Sequence, residues 1–280
     1  VLHACRYLEQ YEGFEISRVP ADRHRLIDPE QFNRSLRPDT VLASVMAANN
    51  EIGTVQPVAA LASRCRAKGV LFHTDAVQWP GKMPFAPLAE CGADLISFCA
   101  HKIHGPKGAG GLFIRSPFKP VPLIFGGGHE GELRAGTENV AGCVGLSLAL
   151  ERYTPDLIFS SPRLVSLVAR VRQCLQAVPD ISIFSSAPVS LPNTISFAAR
   201  GCDQLDLLAL LDLEGFCASG GAACSSGALE PSHVILALGF PADLASGLIR
   251  FSLGRETTED DIARLVSVLP RLITSLRTSE

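Results

Sequence analysis

No run of this sequence stays apolar long enough to cross a bilayer, which argues against a membrane-spanning role. Charge of neither sign dominates: 25 lysines and arginines stand against 28 aspartates and glutamates, a net charge of -3. That balance gives no electrostatic grip on nucleic acid or on a membrane surface, so neither is expected as a direct partner. The nine cysteines are odd in number, scattered, and contain no C-x-x-C pair. A disulfide framework and a structural zinc site are therefore unsupported, no metal is expected, and the thiols point to a reducing cytoplasm. Internal repeats and low-complexity tracts are lacking too. The glycine-rich stretch from Gly105 to Gly111 has no Gly-Lys-Ser/Thr ending, so it is not a Walker loop and nucleotide binding has little support.

What is present is a hydrophobic content of 47% with only 19% charged residues, the balance of a globular enzyme. A chain of 280 residues buries a sizeable core in one domain or two. Val1 to Glu9 reads as a helix already under way, and the chain is expected to be a fragment of a longer gene product. Residues 13–19 alternate like a strand, and 28–36 read as a short helix with Asp28 at the cap and Pro29 in the first turn. A continuous apolar run at 41–48 suits a strand covered on both faces, and further strands are expected at 70–74 and 94–99. Helices are expected at 58–68, closed by Gly69, and at 87–91, with a further strand at 111–115. Strands alternating with helices predict an α/β fold with a largely parallel sheet. A glycine-rich loop at 126–137 leads into a helix at 138–152, whose first amides, with Arg134 and Thr137, could receive a phosphate. Later come helices at 157–178, 204–213 and 259–276 and strands at 181–184, 194–197 and 249–252. They predict two domains, a large one at 1–158 and a smaller α/β one at 159–280.

Ligands of open parallel sheets sit beyond the carboxyl ends of the strands. Asn50, Asp75 and Lys102 each fall just past an expected strand, so all three are placed to face one crevice. A lysine there is a candidate for Schiff-base chemistry, although most lysines are merely solvated. Pyridoxal phosphate needs such a lysine and an acid for its pyridine nitrogen. Asp75 supplies the acid; alone it would as readily be a loop cap. His101, beside Lys102, is a core histidine or a proton shuttle near the cofactor. Cys224 lies among small residues in Ala222-Ala-Cys-Ser-Ser-Gly227, with no bulky neighbour to bury it. It is therefore a candidate nucleophile as well as a structural thiol. Arg250 offers a fork for a substrate carboxylate, or a partner for a nearby acid.

Six motifs occur in an order that resembles one known family. They are Asn49-Asn-Glu-Ile-Gly53; His73-Thr-Asp-Ala-Val-Gln78; Ser97-Phe-Cys-Ala-His-Lys-Ile-His-Gly-Pro-Lys-Gly108; Gly126-Gly-Gly-His-Glu130 with Arg134-Ala-Gly-Thr137; Ala223-Cys-Ser-Ser-Gly227 with Leu229-Glu-Pro-Ser232; and Ile249-Arg-Phe-Ser-Leu-Gly254. The chain looks like a cysteine desulfurase of the NifS/IscS type, within the class V aminotransferase group of pyridoxal phosphate enzymes. The resemblance extends over essentially all 280 residues.

That resemblance implies fold type I of these transferases and a homodimer. It implies that Lys102 carries the cofactor, Asp75 pairs with the pyridine nitrogen, and Gln78 contacts the ring hydroxyl. His101 would contact the cofactor, Asn50 would lie by cofactor and substrate carboxylate, and Arg250 would bind that carboxylate. Thr137 would reach the phosphate of the neighbouring subunit. L-Cysteine would displace Lys102 from the cofactor, and the Cys224 thiolate would take its sulfur, leaving a persulfide and releasing L-alanine. An acceptor or scaffold protein would then receive the sulfur, for iron–sulfur clusters or tRNA thiolation. Two departures stand out. Cys99 occupies a phosphate-holding position usually filled by serine or threonine, and a thiol is the weaker donor. The family's glycine-rich phosphate turn and its ring-stacking histidine would precede Val1. A selenocysteine lyase or another class V enzyme is the near alternative; a non-catalytic scaffold for sulfur-transfer partners is the distant one.

Overall fold

The computed structural model describes residues 1–280 except 23, 154, 156, 186–189, 222–230 and 279–280. The chain divides into two compact units: residues 1–47, 56–77 and 85–151 form one, and residues 48–55, 78–84 and 152–280 the other.

The first unit is built on a four-stranded sheet: β1 (Leu42–Met46), β2 (Leu71–Asp75), β3 (Leu95–Cys99) and β4 (Gly110–Ile114), in that spatial order. The first three strands run parallel and β4 returns antiparallel to β3. Helix α1 (Leu2–Tyr11) opens the chain and buries none of its residues. Helix α2 (Pro29–Ser35) starts where expected: the Asp28 carboxylate accepts from the amides of Glu30 at 2.6 Å and Gln31 at 3.1 Å. Those two amides, that of Gln31 foremost, lower the Asp28 pKa. Helix α3 (Val58–Ala67) turns Val58, Leu61, Ala62 and Cys65 inward at helical spacing. Burial lifts the Cys65 thiol to about 11, which makes it a small apolar core residue. Phe72 of β2 is fully buried and meets the Phe32 ring edge-on at 6.5 Å. Helices α4 (Phe85–Ala89) and α5 (Val140–Tyr153) complete the order up to the second unit.

The second unit has an antiparallel sheet of β5 (Ile181–Ile183), β6 (Thr194–Ala199) and β7 (Leu248–Ser252). Helices α6 (Pro162–Gln176), α7 (Gln204–Leu213) and α10 (Glu259–Arg277) supply one core with the sheet, including Leu167, Leu175, Leu211, Phe197, Phe251 and Leu269. Burying each such side chain contributes about 1.5–3 kcal/mol, so this is the main source of the unit's cohesion. Helices α8 (His233–Ala237) and α9 (Ala242–Ser246) belong to a second cluster, in which Ile235, Leu244 and Leu248 join Ile52 and Phe184.

Several expectations need correction. Residues 13–19 form no strand, because no described strand lies alongside to take the ladder; Arg37 instead reaches the Ser17 hydroxyl and the Glu15 carbonyl. The helix expected at 157–178 begins only at Pro162, whose ring fixes the first turn while Ser161 accepts from the Leu164 amide. The strand at 110–114 is antiparallel, which a return of about ten residues from β3 requires. Helices α8 and α9 were not expected, since five-residue segments carry too little periodicity to read.

Candidate functional site

Two groups of the expected residues are described, one in each unit. In the first, parallel pairing sets Met46 opposite Asp75 and Asp75 opposite Ser97, so β1 and β2 end level while β3 runs two residues further, to Cys99. Asp75 closes β2, half-buried, and its Oδ1 accepts from the Val77 amide at 3.0 Å. Lys102 follows β3 on a single 3-10 turn, His101–Ile103. Buried Ala100 and Ile103 anchor that turn, and the Ala100 carbonyl accepts from both Ile103 (3.0 Å) and Gly105 (2.9 Å). A side chain at Gly105 would put its Cβ 2.7 Å from that of Ala100, so only glycine lets the chain fold back this tightly. Lys102 is half-buried there, while His101 is exposed and its Nε2 lies 3.9 Å from the Cys99 sulfur.

On the same strands, His73 makes a contact that the sequence reading missed. Its Nδ1 is 2.7 Å from the Ser44 hydroxyl and its Nε2 2.9 Å from the Ser97 hydroxyl, a polar rung across β1, β2 and β3. Burial lowers the His73 pKa, with the Asp75 charge opposing, so the imidazole donates through one nitrogen and accepts through the other. The two-residue step from His73 to Asp75, which puts both on one strand face, was the available signal. Thr137 is exposed, and with Arg134 it borders an open cleft of about 270 Å³ beside Gly108 and Gly110. Arg134 Nη1 donates to the Ala135 carbonyl at 2.9 Å.

The second unit holds Asn50, Gln78 and Arg250. Residues 48–55 form a tight turn: the Asn49 Oδ1 accepts from the amides of Glu51 (2.8 Å) and Ile52 (2.9 Å), and the Asn49 amide donates to the Thr54 carbonyl. Arg250, on β7, donates through Nη1 to the Asn50 carbonyl. Its Nε is buried with no hydrogen-bond partner among the described residues. Burial lowers the Arg250 pKa and the Glu51 charge opposes this. The Gln78 Oε1 accepts from the Lys82 ammonium at 2.6 Å, which orients the amide; Lys82 is itself buried and lies 5.8 Å from the centre of the Phe159 ring. Lys82 went unnoticed in the sequence, though it stands four residues after Gln78. Cys224 lies outside the described residues. The described cysteines form no disulfide.

Comparison with known proteins places this geometry. The family model for class-V aminotransferases matches residues 1–265. A cysteine desulfurase IscS of Dictyoglomus turgidum is 44% identical over 279 residues, 99% of this chain and 70% of that protein. Another cysteine desulfurase IscS, from Methanosarcina thermophila, is 39% identical over 277 residues, 99% of this chain and 68% of that protein. Among solved structures, a NifS-like protein superposes with a TM-score of 0.89 at 35% identity, covering 98% of this chain and 72% of that one.

Proposed function

This chain belongs to the class-V aminotransferase family, and within it to the cysteine desulfurases; on that premise we propose that it takes sulfur from L-cysteine, releasing L-alanine and leaving a persulfide on Cys224. The observation that carries the reading is the pair of Asp75, at the carboxyl end of β2, and Lys102, on the turn after the neighbouring parallel strand β3; such strands lie about 4.8 Å apart. An amine and a carboxylate so placed fit pyridoxal phosphate, whose ring supplies an electron sink when bound. In this reading Lys102 Nζ would hold the cofactor covalently, and its amine, once free, would be the base for the proton on the substrate's α-carbon. Asp75 would face the pyridine nitrogen, and Gln78, its carbonyl held by Lys82, would offer its amide N–H groups to the ring hydroxyl. His101 and Cys99 sit beside the attachment point. Thr137 would serve the phosphate of a partner subunit, which makes the working form a homodimer.

Arg250 and Asn50 orient the substrate. Arg250 Nη1 is already engaged, so the edge bearing the unpartnered Nε is the one that meets the carboxylate. The thiolate of Cys224 forms a bond to the substrate sulfur while the Cβ–S bond breaks and leaves its electron pair on carbon. That carbon takes up a proton and the α-carbon regains the one Lys102 removed, so L-cysteine and the Cys224 thiol become L-alanine and a persulfide with no outside oxidant. The persulfide then passes to an acceptor protein, such as one that assembles iron–sulfur clusters. Among the described residues no helix is long and apolar enough to cross a membrane; we place the reaction in the cytoplasm, where free thiols persist.

The test supplies L-cysteine to the protein reconstituted with pyridoxal phosphate and measures alanine and sulfide, beside Lys102→Ala and Cys224→Ala. Alanine is expected from the parent and from neither variant. Full activity in Cys224→Ala would overturn the thiol's role.

A further inference from the structure

Glu51 is a carboxylate with no part in the reaction above, yet it is 2% exposed, a costly place for a charge. Its Oε2 accepts from the Ser232 hydroxyl at 2.5 Å. The same oxygen lies 3.1 Å from where a side chain would begin at Gly221. The Gly221 φ of +93° favours glycine there, and a side chain would also require the Glu51 carboxylate to shift by a few tenths of an ångström. Gly221 and Ser232 flank residues 222–230 on either side, and Cys224 lies between them in sequence. Each flank is fixed a second time. Ser219 exchanges backbone hydrogen bonds with Arg250 (3.1 and 2.7 Å), and its hydroxyl donates to the Gly221 carbonyl at 3.2 Å. Ser232 donates its amide to the Ala245 carbonyl at 3.2 Å, and its hydroxyl accepts from the Ile235 amide at the start of α8. The Glu51 backbone is equally tied: its carbonyl accepts from the Ser196 hydroxyl on β6, opposite Arg250 in register. Its neighbour Asn50 receives Arg250. One buried carboxylate thus bonds to the flank after Cys224 and packs against the flank before it, beside the strand that carries the carboxylate-binding arginine.

We propose that Glu51 is a positioning residue for sulfur transfer: through Ser232 it fixes the chain that follows Cys224, and it packs against Gly221, which precedes Cys224 and is tied through Ser219 to Arg250. The proposal rests on the desulfurase reading above. It predicts that loosening this clamp by removing the Ser232 hydroxyl slows thiolate attack on the substrate sulfur while substrate binding persists, because Glu51 stays beside Arg250 and Arg250 keeps its bond to the Asn50 carbonyl. A carboxylate suits this role better than an amide, since a charge-assisted hydrogen bond is shorter and about twice as strong as a neutral one.

The full chain loaded with pyridoxal phosphate is compared as parent, Ser232→Ala, Glu51→Gln and Ser232→Thr. Two quantities are read: the KM for L-cysteine, and the rate at which Cys224 gains a persulfide, followed by alkylation and mass spectrometry. Ser232→Ala is expected to slow persulfide formation about ten-fold or more, with KM unchanged within about two-fold. Glu51→Gln should lose less, because an amide oxygen still accepts, and Ser232→Thr should restore the parental rate by restoring the hydroxyl. An unchanged persulfide rate in Ser232→Ala overturns the proposal, as does a parallel loss of binding and rate that Ser232→Thr does not rescue. A parent that forms neither alanine nor persulfide overturns the desulfurase reading and the clamp with it. A normal parent with unaffected variants overturns the clamp alone.

Discussion

The two units hold their candidate residues by different means. In the first, Asp75 and Lys102 are placed by the ends of parallel strands and then fixed by short local contacts; the turn on the Ala100 carbonyl spans only five residues. In the second, Arg250 meets Asn50 across 200 positions of sequence and Ser232 meets Glu51 across 181. The first arrangement follows from backbone geometry and tolerates change in its surroundings. The second depends on buried polar groups, where leaving one unpaired costs about 1–3 kcal/mol.

Substitutions in each unit sharpen that contrast. The largest effect is expected from Lys102→Ala, which removes covalent attachment: the yellow absorbance of bound cofactor and the formation of alanine should both vanish, as measured by spectrophotometry and amino-acid analysis. Arg250→Met should leave the yellow colour and raise the KM for L-cysteine. Losing a hydrogen bond to a charged group, about 1.5–3 kcal/mol, lowers kcat/KM roughly ten- to hundred-fold. A colourless Arg250→Met protein would break the comparison, since it would tie cofactor retention to the second unit's network.

Cys99→Ser tests the first unit more gently. A hydroxyl is a better donor than a thiol, so the dissociation constant for pyridoxal phosphate should fall about two- to ten-fold, the worth of one ordinary hydrogen bond. Fluorescence titration of the protein with the cofactor measures it. The smallest effect concerns pH. Burial lowers the His73 pKa below its ordinary 6.5, so the unfolded chain binds the extra proton more readily than the folded one. The contribution of His73 to stability is complete above about 6.5 and is lost as pH falls from there through the lowered folded value. Urea unfolding at pH 7.5 and 5.5 should show a drop that is smaller in His73→Asn, whose amide does not titrate.

Legibility follows the same division. The strands, the order of helices and the positions of Asp75 and Lys102 were readable, because apolar runs ending in polar turns announce buried strands and what lies beyond them. Asp28 and Gly69 marked the ends of α2 and α3 through capping chemistry that is itself local. Residues 13–19 misled, because alternation predicts a strand only where a partner strand exists to complete it. The His73 rung, the Lys82–Gln78 contact and the Glu51–Ser232 clamp stayed hidden. Each needs the tertiary fold to bring a second polar group to a side chain that reads, in sequence, as one more polar residue in a turn or strand. Arg250 was readable as a motif, yet its hold on the Asn50 carbonyl was not.

The central claim is that Cys224 takes the sulfur of L-cysteine. Peptide mass mapping after one turnover with sulfur-labelled L-cysteine tests it most directly. The account predicts one added labelled sulfur on the peptide containing Cys224, matched by an equal amount of L-alanine and lost on treatment with a reducing thiol. Alanine formed without labelled sulfur on that peptide would contradict it.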